Sequence, residues 1–114
     1  MKKYSADELF KIAHSHLQKK EFEKSTQLFE KLLNDYPDNL SILRNLSHSY
    51  AFSGAFKKAE ECIKKVIKIK PDEPFAYQFL ASVLKNQDKI EEMIKIVNEG
   101  LKKNLINEKW EVQK

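Results

Sequence analysis

Glycine is almost missing from this chain, with only Gly54 and Gly100 in 114 residues. Neither a phosphate-cradling Gly-rich loop nor a dinucleotide fingerprint can be assembled from two isolated glycines. Cysteine occurs once, as Cys62, so no internal disulfide or cysteine-based metal site can form, which fits a reducing compartment. Cys62 is also a poor nucleophile, because it sits among charged residues on a predicted helix with no base beside it. No apolar run approaches the roughly 20 residues needed to cross a bilayer. The opening residues Met1 to Glu8 are basic, then polar and acidic, where a secretory signal needs an apolar stretch. No paired acid, nucleophile–base set or phosphate loop stands at a recognisable spacing. These absences predict a cytoplasmic protein with no membrane span, no cofactor and no enzymatic activity.

What is present is the composition of amphipathic helices: 41% hydrophobic and 33% charged residues, with three prolines. The length suits one domain with a single core or one short array. The net charge of +4 is modest, and Lys and Glu are interspersed rather than sorted into a basic block. Lys64-Lys65 and Lys102-Lys103 therefore read as the wet faces of helices rather than as a phosphate-tracking stripe, and no nucleic acid partner is expected.

Self-similarity is the strongest signal. Pro37 and Pro71 lie 34 residues apart (71 − 37), and each closes a similar apolar pattern. At this offset Leu9, Leu43 and Tyr77 coincide, as do Ile12, Leu46 and Leu80, followed by small Ala13, Ser47 and Ala81. Further on, Phe22 aligns with Phe56 and Ile90, Ser25 with Ala59 and Met93, and Phe29 with Ile63 and Val97. Apolar spacings of three and four within each copy predict two amphipathic helices. The expected organisation is an N-terminal tail over residues 1–5, helical hairpins over 6–39, 40–73 and 74–107, and a short remnant or cap over 108–114. Ser5 with Glu8 forms a capping-box signature for the first helix. Asn39 and Asp72 stand in comparable places before the second and third copies, with Pro74 in an opening turn. Gly54 suits the turn inside the second hairpin; Lys20-Glu21 and Gln87-Asp88 make the same turn with less favourable residues.

This pattern resembles the tetratricopeptide repeat family. Copy two carries the likeness best, with Leu43, Leu46-Ser47, Tyr50, Gly54, Ala59, Ile63 and Pro71 at the family's spacing. Copy one departs with His16 and Ser25, and copy three has Leu105 in place of proline. The resemblance implies an all-α fold, a right-handed solenoid of three helix-turn-helix hairpins, whose first helices line a groove that receives a protein or peptide partner. Small Ala13, Ala59 and Ala81 would let neighbouring helices approach closely.

On the groove face of the first helices the register places Asp7, Phe10, Lys11 and His14, then Ser41, Arg44, Asn45 and His48, then Phe75, Gln78, Phe79 and Ser82. Phe10, Phe75 and Phe79 are not demanded by the repeat pattern and read as exposed aromatics, so they either bind a partner or fill the core. The candidate binding set is Phe10, His14, Arg44, Asn45, His48, Phe75, Gln78 and Phe79. The family's carboxylate clamp grips the acidic tail of heat-shock chaperones, but of its residues only Asn45 has a counterpart here. Phe10, His14, Phe75 and Phe79 hold the other places, so the resemblance does not imply a chaperone-tail partner. An apolar or amphipathic segment, met by Arg44, Asn45 and Gln78, is expected instead. His14 and His48 share a register, but Ser82 on the next rung is a poor third ligand, and no metal site is expected. At the far end, Leu105, Ile106 and Trp110 either begin a cap over copy three or form a face for self-association into a homo-oligomer, and Trp110 also fits the opening of a fourth copy.

Overall fold

The computed structural model describes residues 3–106. They form six helices: α1 (Ala6–Gln18), α2 (Phe22–Asp35), α3 (Leu40–Phe52), α4 (Phe56–Ile69), α5 (Pro74–Asn86) and α6 (Ile90–Lys102). The first helix of each hairpin starts for a local reason. At α1 the Ser5 hydroxyl accepts from the Glu8 amide and the Glu8 carboxylate accepts from the Ser5 amide, so the capping box forms. Asn39 caps α3 by accepting from the Ile42 amide. The third hairpin departs from expectation: Glu73, not Asp72, is the last residue before α5, and it makes no side-chain cap. The residue before a proline is held extended, so Pro74 at the first helical position fixes the boundary at Glu73.

The turns inside the hairpins repeat as the helices do. Lys20 (φ 63°), Gly54 (φ 88°) and Asp88 (φ 60°) occupy the left-handed region at equivalent positions. In each turn an amide reaches back to the same carbonyl: Glu21 to His16 at 2.8 Å, Ala55 to Tyr50 at 2.8 Å and Lys89 to Leu84 at 2.9 Å. Only Gly54 adopts that conformation freely, and the two side-chain-bearing residues each carry about 1–2 kcal/mol of backbone strain.

Each helix packs mainly on its neighbours in sequence, and the molecule extends 52 × 24 × 20 Å. The described residues therefore form an all-α solenoid rather than a bundle around one centre. Ala13, Ala59, Ala76 and Ala81 are fully buried, as are Phe29, Ile63 and Tyr77, so the small-and-large register read from the sequence is the packing register. One core cluster centres on Phe29, Leu46 and Tyr50 and a second on Leu43, Ile63 and Leu80, with Phe79 packed against both.

The two junctions between hairpins use different chemistry. At the first, the hydroxyls of Ser25 and Thr26 each meet that of Ser49 at 2.6 Å, and the Phe22 carbonyl accepts from the cluster. At the second, Glu60 is 6% exposed and accepts from Lys64 at 2.6 Å, Gln87 at 2.8 Å and Lys89 at 3.1 Å. Burial alone would raise the Glu60 carboxyl, but these three donors outweigh it and hold the group at about 2. Its folded value lies below its ordinary 4.5, so its stabilisation is whole above pH 4.5 and fades as the pH falls toward 2. Glu60→Ala should lower stability at pH 7 by roughly 1–3 kcal/mol, because Gln87 and Lys89 lose their acceptor. In urea melts that difference should shrink steadily between pH 5 and pH 3; a pH-independent gap would mean the carboxylate charge is not what holds the junction.

The end of the third hairpin differs from the other two. The helix α6 stops at Lys102 and the chain turns through Asn104 (φ 61°), with the Leu105 amide bonded to the Gly100 carbonyl. Ile106 then folds inward, 5% exposed, onto Gly100, where an added Cβ would stand 2.6 Å from its Cδ1. Leu105, in the place of Pro37 and Pro71, is half-buried. Trp110 and the fourth-copy register lie outside the described residues.

Candidate functional site

The first helices of the three hairpins stand along one side of the solenoid, and the sequence-predicted residues fall on it. Phe10 stacks flat on His14 with centroids 6.4 Å apart and meets the buried Phe29 edge-on at 5.6 Å. Phe10, His14 and Asn45 line a cleft of about 230 Å³ between α1 and α3. Arg44, Asn45, His48 and Phe75 line another, of about 310 Å³, between α3 and α5. Gln78 stands half-buried on α5 and lines neither cleft.

The rings gather on His48. Its imidazole lies 5.5 Å from Phe52, 5.2 Å from Phe75 and 4.8 Å from Phe79, and Phe75 stacks on Phe79 at 5.5 Å. Phe22 continues the strip at 5.7 Å from Phe52. Arg44 closes the other end, with its guanidinium 5.3 Å above the Phe75 ring and 3.8 Å from the Glu73 carboxylate. Burial pushes the His48 imidazole below its usual range, and the Arg44 charge pushes it the same way. The face is therefore apolar and aromatic at neutral pH, with one cation held at its edge.

Phe10, Phe75 and Phe79 are half-buried rather than exposed, because each rests one side of its ring on the core while the other faces the groove. His14 and His48 belong to separate ring clusters, and among the described residues no three His, Cys, Asp or Glu side chains gather as a metal site would need. Phe52 was not singled out from the sequence, yet at 60% exposure it is the most open ring of the strip. A signal existed: Phe52 aligns with Gln18 and Asn86, so an aromatic ring replaces the amide of both sister copies. Cys62 is half-buried, and its thiol is pushed up to about 11 by burial and by the charges of Glu61 and Glu30, which keeps it inert.

The model of the tetratricopeptide repeat matches residues 16–84, which is more than half of the chain. The chain belongs to the tetratricopeptide repeat family. Among curated relatives of this tetratricopeptide chain, the CTR9 homolog of Arabidopsis thaliana is 34% identical over 79 residues; the match takes in 69% of this chain and 7% of that protein. Among solved structures, the Sgt2 TPR domain from Aspergillus fumigatus matches 87% of this chain and 66% of its own, at 21% identity and a TM-score of 0.77. MamA from Desulfovibrio magneticus RS-1 matches 84% and 54%, at 14% identity and a TM-score of 0.79. At such identities the structural likeness establishes the fold. Tetratricopeptide repeats as a family serve as protein-interaction scaffolds, and no helix among the described residues is long and apolar enough to cross a membrane.

Proposed function

We propose that this tetratricopeptide array is a non-enzymatic adaptor or small chaperone of the cytoplasm that holds an apolar or amphipathic peptide segment along its aromatic face. The observation that carries the reading is the strip of Phe52, His48, Phe75 and Phe79, whose rings lie within 5.5 Å of one another in sequence along the groove. Aromatic rings that already stack on one another bind well, since less rotamer entropy is lost when a partner covers them. Arg44 and Asn45 supply polar contacts for the backbone of the segment. A displayed library of random linear peptides, panned on the full chain, should return sequences that share a spacing of aliphatic or aromatic residues. Selection of sequences with no shared apolar spacing would count against the groove.

His48 gives this reading a pH dependence. Its folded pKa is already depressed, and a segment covering it would depress it further, so binding requires the neutral ring. Affinity for a selected peptide should be level above about pH 7 and fall on acidification toward pH 5, while His48→Gln flattens the profile. An affinity that rises on acidification would show that His48 is not covered.

A second reading, self-association through α6, is favoured by Ile90 and Ile94, which are exposed on its outer side. Ile106 turns inward and cannot contribute to that surface, and Leu105 does so only in part. If α6 pairs with a second copy, Ile94→Lys should convert a concentration-dependent assembly to a monomer in light scattering; a wild-type chain that is monomeric at all concentrations rejects it.

A further inference from the structure

The geometry points to a basic anchor in the bound segment: a lysine or arginine side chain that enters the cleft between the first two hairpins and is read by Asp7. This inference rests on the groove reading and specifies one residue of the segment. The cleft, of about 510 Å³, opens where α1 and α3 begin and α2 ends. Its apolar lining is Phe10 with the buried Leu32 and Ile42, and its rim carries the Asp7 carboxylate and the Tyr36 ring, which is 47% exposed. Phe10 also lines the neighbouring cleft with His14 and Asn45, so the two share a wall and one extended segment can occupy both.

Charge decides what fits. Helix starts ordinarily favour anions, but here the Ser5 hydroxyl takes an amide of α1 and the Asn39 side-chain carbonyl one of α3, and the carboxylates of Asp7 and Glu8 already stand in the first turn of α1. Among the described residues no ion pair or hydrogen bond takes Asp7. Asp7 therefore leaves the mouth net negative, and the carbonyl end of α2, with Asp35 in its last turn, adds to that sign. An acidic side chain is repelled. A short aliphatic one reaches the floor but leaves the carboxylate and the exposed ring without a partner. A long basic side chain meets all three demands, with its methylene stem on Phe10, Leu32 and Ile42 and its cation between Asp7 and the face of Tyr36.

The experiment pans a displayed library of random linear peptides on the wild-type chain and on Asp7→Asn, then measures the affinity of synthesised peptides from the wild-type selection. Lysine or arginine should be enriched at one fixed offset from the apolar residues, and the enrichment should vanish on Asp7→Asn. A partly exposed ion pair with a cation–π contact predicts a roughly tenfold loss of affinity for Asp7→Asn and a smaller loss for Tyr36→Ala, each greater at low salt. Asp7 and Tyr36 are both exposed, so both variants should keep the wild-type melting profile. Peptides with an apolar consensus but neutral or acidic residues at that offset overturn the basic anchor and leave the groove standing, as do affinities indifferent to Asp7→Asn. Peptides indifferent to Phe52→Ala overturn the groove reading, and the anchor with it.

Discussion

Replacing Tyr77 with alanine should lower the unfolding free energy by about 3–5 kcal/mol, the range for deleting a fully buried aromatic ring. Tyr77 is the largest of the completely buried side chains, and it sits in the first helix of the third hairpin. Its hydroxyl donates to the Pro71 carbonyl at 2.9 Å and accepts from Lys103 at 2.8 Å, tying the second hairpin's exit to the end of α6. Tyr77→Phe keeps the ring and loses only those bonds, so it should cost about 1 kcal/mol. A repeat array is stabilised by contacts between adjacent hairpins, so the alanine variant should detach the third hairpin before the others. Urea unfolding followed by circular dichroism should then show a broadened transition with a reduced slope, while Tyr77→Phe keeps the wild-type slope. A loss below about 1 kcal/mol for alanine would mean that the ring is not part of the structural core.

Much of this was legible in the sequence because a repeat tests itself. Ala13, Ser47 and Ala81 could each be dismissed as chance, but small residues recurring beside Ile12, Leu46 and Leu80 mark a place where backbones approach. The left-handed turn was readable at Gly54 from glycine alone, and at Lys20 and Asp88 only because the period carries the turn to residues that do not favour it. Burial set by a neighbouring hairpin was not readable. Glu60 has the look of one more solvated charge in a run of Lys and Glu, and it becomes buried because Gln87 and Lys89 arrive from the next hairpin as donors. For Phe10, Phe75 and Phe79 a register gives the direction of a side chain and not the depth of what lies behind it. Ile106 is similar: its inward turn depends on Gly100 having no side chain, a pairing without any counterpart in copies one and two.

Phe52→Ala with Phe75→Ala should weaken a groove-selected peptide by about a hundredfold, on the basis that central interface aromatics are each worth more than 1 kcal/mol and that 1.4 kcal/mol is tenfold in affinity. The choice of rings follows from their support. Phe79 packs on both core clusters, so its removal mixes unfolding with lost contact and tests neither. Phe52 closes α3 with most of its surface open, and Phe75 stands in the first turn of α5; each touches His48, at 5.5 Å and 5.2 Å. The Phe52 change should cost under about 0.5 kcal/mol of stability, and the half-buried Phe75 about 1 kcal/mol, leaving the double variant folded. Because both rings brace the same imidazole, the two losses should not simply add. The double-mutant cycle, measured by calorimetry with the peptide in excess, should return a coupling of at least about 0.5 kcal/mol. That coupling separates a continuous aromatic strip from two unrelated contacts. A folded double variant that binds the peptide within twofold of wild type would place the segment elsewhere on the molecule.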